Sequence, residues 1–414
     1  MKVVVQKFGG TSVANLERMR QVQEKIERKL NQGYKVIAVL SAMSGETDRL
    51  LTLAEDFSAK PDPEELDALL CTGEQSSTAL FSMLMRDSGI NARSVQGFQI
   101  PIYTDSFYGK ARIKDINANN LFSMIREYDV LVVSGFQGCD RDQRLTSLGR
   151  GGSDTSAVAL AAALKADLCE IYSDVDGVFT TDPNVCMQAR KMNRIAYDEM
   201  LEMASMGAKV LQIRSVEFAK KYNVPVHVRS TFNDIPGTLL VQEDKEMEGA
   251  LVSGIAYDKN QARITLVNVF DKPGIASQVF NPLANAEIVV DMIVQNFSKE
   301  SRTDITFTVA RAELENALEI IQGIQEDIGA ESIHSDTNVA KVSVIGVGMR
   351  NHSGVAGIAF KSLQAENINI MIISTSEIKI SCLVEEKYTE LAVRTLHEAF
   401  ELDKSNSETY SETD

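Results

Sequence analysis

The densest run of chemically useful residues is Gly149-Arg150-Gly151-Gly152-Ser153-Asp154-Thr155-Ser156, which leads directly into AVALAAALKADL. Glycine reaches backbone angles closed to other residues, so N–H groups in such a loop can converge on an anion. A helix that begins there adds free N–H groups and the positive end of its dipole, which suits phosphate or carboxylate. Arg150 supplies a two-pronged donor for either group. Asp154 is the odd residue: an acid in an anion site implies a metal, or a cation that needs orienting. Without a ligand, the same stretch is a turn followed by a helix over 157–165 capped by Asp154, Thr155 or Ser156.

A second cradle lies at the amino end. The β-branched run Val3-Val4-Val5 predicts a buried strand, followed by Lys7-Phe8-Gly9-Gly10-Thr11-Ser12 and an amphipathic helix over 16–30. The P-loop pattern is absent from the chain, and here the lysine precedes the glycines. Lys7 would then stand at the carboxyl end of the first strand, where open α/β sheets bind ligands; otherwise it is a surface lysine before a turn. The strand over 35–40 runs into Ser41-Ala42-Met43-Ser44-Gly45-Glu46-Thr47-Asp48, either a substrate-holding loop or a plain connection. Thr72-Gly73-Glu74 interrupts a helix over 62–88, for ligand approach or for helix packing. A strand over 129–134 ends in Gly135-Phe136, and one over 168–172 ends in Ser173-Asp174-Val175-Asp176. That carboxylate pair fits Mg²⁺, a ribose or merely a solvated turn. Lys209 sits near another helix start, and 224–228 is a further strand.

These residues need a scaffold that brings strand ends together. The 414 residues suffice for two or three domains, and 44% hydrophobic with 24% charged residues is ordinary for a globular protein. The net charge of −16 argues against a nucleic-acid or acidic-membrane surface. No apolar run spans a membrane, and the amino end does not read as a signal peptide, so a cytoplasmic location is expected. Cys71, Cys139, Cys169, Cys186 and Cys382 are dispersed, which fits reduced thiols. The four histidines are scattered, so no zinc site is expected. Alternating strands and helices with glycine loops predict a three-layer αβα sandwich on a mostly parallel sheet over 1–241.

Beyond a polar linker the pattern changes. The segment from Ile264 is repeated from Lys341: at an offset of 80, Gly274 falls on Gly354, Ala276 on Ala356, Phe280 on Phe360, Leu283 on Leu363 and Ile288 on Ile368. Each copy reads βαββαβ, a ferredoxin-like unit. We expect a linker over 242–261 whose strand joins the second unit, the units themselves over 262–335 and 336–403, and a disordered tail over 404–414.

KFGGTSV, SAMSGETD, TGE, GFQG, GRGGSDTSAVALAAAL, SDVDGVFTTDP and GAKVLQIRSVEFA closely resemble the aspartate kinases of the amino acid kinase superfamily, and the repeat resembles their paired ACT domains. The resemblance implies a monofunctional enzyme moving a phosphoryl group from MgATP to the side-chain carboxylate of L-aspartate, the first step toward lysine, threonine and methionine. It makes Lys7 and Asp154 catalytic. It puts Ser41, Thr47, Glu74, Phe136, Arg150, Gly151, Gly152 and Ser153 on the substrate. It puts Lys7, Phe8, Gly9, Gly10, Ser173, Asp174, Phe179, Asp182, Pro183 and Lys209 on ATP, with magnesium carried by the nucleotide rather than by protein ligands.

The ACT pair implies feedback by lysine, threonine or both. The implied effector residues are Asp271, Gly274, Ala276, Gln295 and Asn296, with Val355, Ala356, Asn369 and Ile370 in the second unit. It also implies a dimer or tetramer joined through these domains, or a separate regulatory subunit initiated at Met247. Phe179 and Asn184 stand where many relatives have tyrosine and arginine, so weaker ATP binding is expected. Competing readings are a kinase for glutamate, acetylglutamate or UMP, and a non-catalytic amino-acid sensor.

Overall fold

The computed structural model describes residues 1–100, 102–206, 210–244, 251–296 and 301–404. Lys209, Met247 and all but the first residue of the expected tail lie outside the described residues. The chain divides into two compact units, one built from 1–179 and 191–247, the other from 180–190 and from 248 onward. The segment 180–190, expected as part of the first unit, thus belongs to the second.

The first unit opens with β1 (Lys2–Phe8), α1 (Leu16–Asn31), β2 (Tyr34–Leu40), α2 (Glu46–Phe57), α3 (Pro63–Asp87) and β3 (Ala92–Val95). Then come β4 (Ile102–Thr104), β5 (Ile113–Ile116), α4 (Ala118–Glu127), β6 (Val130–Ser134), β7 (Gln137–Cys139) and β8 (Leu145–Ser147). It closes with α5 (Gly152–Leu164), β9 (Leu168–Ser173), β10 (Arg194–Ala196), α6 (Tyr197–Ser205), α7 (Ile213–Tyr222), β11 (Val226–Ser230) and β12 (Thr238–Val241). Eight strands form the main sheet in the order β10-β12-β11-β9-β1-β2-β6-β3. Its pairs are parallel except β11 with β12.

Alternation along β1 decides what each face receives. Val4 and Phe8 pack with α1 and α3 in one core, while Lys7 points the other way and meets α5. Glu170 of β9 is fully buried and receives Gln6 Nε2 at 2.7 Å, Lys29 at 3.0 Å, the Tyr172 hydroxyl at 3.2 Å and Arg229 at 3.3 Å. Burial alone would raise its pKa; Lys29, Gln6 and Arg229 outweigh that and hold it low. A four-stranded sheet, β5-β4-β7-β8, sits beside the main one, in sequence that gave no strand signal.

Helix ends follow local chemistry. Asp62 caps α3 by accepting Glu64 N–H at 3.0 Å, with Pro63 in the first turn. The α5 start corrects the expectation. The helix begins at Gly152, its cap is Gly151 at φ +70°, and Asp154 falls inside the first turn. A left-handed glycine starts the helix five residues earlier than 157 and frees the Asp154 side chain for other work. The strand expected over 224–228 is shifted to Val226–Ser230.

The second unit holds β13 (Gly254–Phe270), α8 (Ile275–Asn285), β14 (Val290–Gln295), β15 (Arg302–Val309), α9 (Leu314–Gly323) and α10 (Gln325–Ile328). It continues with β16 (Ser332–Ile345), α11 (Val355–Ala365), β17 (Ile372–Thr375), β18 (Lys379–Glu385) and α12 (Thr389–Ala399). One sheet, β14-β15-β13-β16-β18-β17, serves both repeats. Arg263–Val267 pair with Ser332–Asp336 in the first repeat, and Gly254–Asp258 pair with Lys341–Ile345 in the second. Two long antiparallel strands therefore run through both ferredoxin-like repeats, each of which keeps its own core. The repeats agree at their glycines: Gly274 at φ +95° and Gly354 at φ +110° cap α8 and α11.

Candidate active site

The parallel register aligns the carboxyl ends of β9, β1, β2 and β6, so Ser173, Phe8, Leu40 and Ser134 mark one rim of the sheet. At that rim Lys7 Nζ pairs with Asp154 Oδ1 at 2.7 Å, both side chains nearly buried. A Cβ on Gly9 would lie 3.6 Å from this ammonium, so the amine folds back over the glycine turn. Gly10 lets the turn approach the next loop; a Cβ there would sit 2.9 Å from the Ala42 carbonyl oxygen. Phe8, expected at the nucleotide, points its ring into the core, stacked on Tyr172 at 4.9 Å. Its carbonyl accepts the Ser41 N–H at 3.1 Å.

Glu74 comes from α3. One carboxylate oxygen accepts the Ala42 N–H at 3.0 Å, and the other is buried without a partner. Burial, only partly countered by hydrogen bonds from the Ala42 N–H and its own, pushes its pKa up to about 7. Gly73 is explained by packing: a Cβ there would meet the Ala42 Cβ at 2.9 Å. Ser77 Oγ donates to the Ser41 carbonyl at 2.8 Å, a second tie between α3 and this loop. Ser41 and Thr47 are half-buried, Thr47 near the start of α2.

The glycine stretch packs against the end of β6. A Cβ on Gly135 would collide with Ser153, and one on Gly152 would press on Phe136. Phe136 itself sits at φ +68°, a left-handed conformation rare for a bulky residue. Gly151 abuts the Gln212 side chain, and Arg150 stands exposed at the loop's tip. Lys7, Asp154, Glu74, Ser41, Phe136 and Gly151–Ser153 are thus linked through direct neighbours at one rim.

On the other side of β1, Ser173 Oγ accepts the Val175 N–H at 3.3 Å and Asp174 is exposed. Asp176 accepts Asn233 Nδ2 at 2.6 Å, so this carboxylate is engaged in holding its turn. Phe179 is half-buried. Asp182 and Pro183 fall in the second unit. There Asp182 accepts the Tyr257 hydroxyl at 3.0 Å and, through its other oxygen, Asn184 N–H at 2.9 Å and Asn184 Nδ2 at 3.0 Å. Among the described residues no three histidine, cysteine or acidic side chains gather as a metal site, and no helix is long and apolar enough to cross a membrane. All five cysteines are buried and unbridged.

The expected effector residues lie within the second unit. Asp271, Gly274, Ala276, Gln295, Asn296 and Asn369 are exposed, Val355 is buried, and Ala356 and Ile370 are half-buried. Asn296 and Ile370, from different repeats, line one cleft of about 270 Å³ together with Arg263, Thr306 and Met371. The other residues of this set do not line it.

Residues 2–230 match the amino acid kinase family, and 264–323 and 342–400 each match the ACT domain. The fold is that of an amino acid kinase. An aspartate kinase of Stutzerimonas stutzeri is 53% identical over 97% of this chain and 98% of its own. Escherichia coli aspartokinase III, solved with aspartate and ADP, superimposes with a TM-score of 0.81 at 27% identity, covering 96% of this chain and 99% of its own. The same enzyme solved with lysine and aspartate gives 0.76 at 26%, covering 97% and 100%. The chain belongs to the aspartate kinases, with a catalytic amino acid kinase domain and tandem ACT domains.

Two contributors escaped the sequence reading. Asp67 is buried on α3 and Arg214 is half-buried on α7; both bind backbone leading into the glycine stretch. The signal for Asp67 is its position seven residues before Glu74, which places both acids on one face of a helix.

Proposed function

We propose that the enzyme transfers the γ-phosphoryl group of ATP to the β-carboxylate of L-aspartate, giving 4-phospho-L-aspartate. The observation that carries the reading is the Lys7–Asp154 pair folded over the Gly9 turn. A carboxylate is already ionised at neutral pH, so its oxygen attacks phosphorus without a general base, and ADP leaves. Such a transfer needs in-line placement and charge neutralisation. Lys7 and the Gly9-Gly10 turn meet the phosphoryl oxygens, and Asp154 orients Lys7. Arg150 takes the substrate α-carboxylate, and the free Glu74 oxygen takes its ammonium. Gly151, Gly152, Ser153, Ser41, Thr47 and Phe136 shape the pocket. Ser173, Asp174, Phe179, Asp182, Pro183 and Lys209 serve the nucleotide. Phe8 acts there through its backbone and its stack. Magnesium would come on the ATP phosphates, where it neutralises charge between them.

Feedback by lysine or threonine through the ACT residues is the second half of the proposal. It is supported by the glycine-capped helix in each repeat and by a relative solved with lysine. Oligomerisation through the ACT domains, and a regulatory subunit begun at Met247, belong to the same reading. The test is ADP release with MgATP and a panel of acceptors. Release with aspartate well above that with glutamate, acetylglutamate or UMP is expected. Release with another acceptor alone, or with none, contradicts the proposal.

A further inference from the structure

The loop bearing Arg150 is held from two sides by residues that touch no reactant in the reading above. From α3, Asp67 is 1% exposed; its Oδ2 accepts the Ser147 N–H at 2.7 Å and the Gly109 N–H at 2.9 Å, and its Oδ1 accepts the Ser147 hydroxyl at 2.6 Å. From α7, the two prongs of Arg214 reach the Leu148 carbonyl at 2.8 Å and the Ala111 carbonyl at 2.7 Å. The two held strips are themselves joined, Ala111 N–H donating to the Ser147 carbonyl at 2.9 Å. Gly149 then crosses so close to Gly109 that a Cβ would lie 2.9 Å from its carbonyl oxygen. The next residue is Arg150.

The backbone from Ser147 to Leu148 is therefore tied at every polar group: the Ser147 N–H to the Asp67 carboxylate, its carbonyl to the Ala111 N–H, the Leu148 N–H to the Phe136 carbonyl at 2.7 Å, and the Leu148 carbonyl to the Arg214 guanidinium. A carboxylate accepting three hydrogen bonds and a forked arginine fix direction as well as distance. Asp67 shares its helix face with Glu74, two turns on. One rigid helix thereby sets both the loop that carries Arg150 and the carboxylate expected to face the substrate ammonium.

We propose that Asp67 and Arg214 are positioning residues for the amino-acid acceptor: they fix the aim of Arg150 and so govern acceptor binding, with little effect on ATP. The inference rests on the reading that Arg150 holds the acceptor carboxylate. The experiment measures steady-state kinetics of the full chain for Asp67→Asn, Arg214→Lys, Arg150→Lys and the pairwise combinations, with melting temperatures alongside.

A small misplacement of a binding group can cost up to about 100-fold, so Asp67→Asn and Arg214→Lys are each expected to raise the KM for aspartate about tenfold, the KM for ATP staying within about twofold. Added to Arg150→Lys, either change is expected to do much less than it does alone, because both act through the same contact. A role in stability only would lower the melting temperature and the active fraction with both KM values unmoved, and that result overturns the proposal. So does full additivity with Arg150→Lys. Arg214→Lys keeps the test alive if Asp67→Asn does not fold. If Arg150→Lys itself leaves the aspartate KM unchanged, the acceptor reading falls and takes the inference with it; if Arg150→Lys raises it and the clamp variants do not, the inference alone falls.

Discussion

The charged residues of the kinase unit and the polar residues of the ACT unit solve opposite problems. Asp154 and Glu74 are buried, Lys7 is nearly so, and all three are already held, by one another or by backbone. Asp271, Gln295, Asn296 and Asn369 stand in solvent. A buried charge is costly to the fold but cannot relax away from its task; an exposed one is cheap and acquires order only when a ligand arrives. Of the residues proposed for catalysis, Lys7, Asp154 and Glu74 are thus in place before a substrate comes, while the exposed Arg150 and the residues proposed for the effector are not held by burial.

The comparison breaks most sharply at Lys7. Lys7→Met removes the cation from Asp154 and is expected to lower kcat by about 1000-fold or more with the fold intact, measured by ADP release and circular dichroism. Glu74→Gln comes next. Wild-type kcat/KM for aspartate should rise as pH passes about 7, where Glu74 ionises, and the variant should lose both that rise and about 100-fold in activity at pH 8.

Stability at Glu74 moves the opposite way. Its folded pKa of about 7 lies above the ordinary 4.5, so the native state holds the proton more tightly. The resulting contribution is whole below pH 4.5 and is lost as pH rises through 7. Glu74→Gln should therefore be more stable than wild type at pH 8 by about 3 kcal/mol, and not at pH 4.5, by calorimetry at both values.

On the exposed side the effect is smaller. Asp271→Asn should raise the effector concentration for half-inhibition about tenfold, read from lysine and threonine titrations. Gly73→Ala should cost about 1–2 kcal/mol of stability by pushing α3 off Ala42, despite alanine's better helix propensity, read as a lower midpoint of urea unfolding. The smallest change is Asn184→Arg, which replaces a side chain now bound to Asp182 and should lower the KM for ATP about threefold.

Much of this was legible because strand ends in a parallel sheet announce themselves. The valine-rich runs at 3–5 and 129–134 pointed to β1 and β6, two inner strands of the main sheet, and the glycines after them located the rim. The helix start at Gly152 was missed because cap preferences favour Asp and Ser, while the actual cap is a left-handed glycine. Strands β4, β5, β7 and β8 are three or four residues long, too short for alternation to register. The assignment of 180–190 to the second unit rests on contacts across long sequence separations, such as Tyr257 with Asp182 and His397 with Thr180 at 2.9 Å, which no local pattern encodes. Asp67 was hidden for the same reason: its partners lie 42 and 80 residues away.

The most direct test of a partly prebuilt kinase site coupled to a ligand-organised regulatory one is acyl-phosphate formation trapped with hydroxylamine. MgATP and L-aspartate are supplied alone, then with lysine, threonine or both. The account predicts hydroxamate with aspartate that falls when an effector is added. Hydroxamate indifferent to both effectors would contradict the regulatory half, and no hydroxamate from folded protein would contradict the catalytic half.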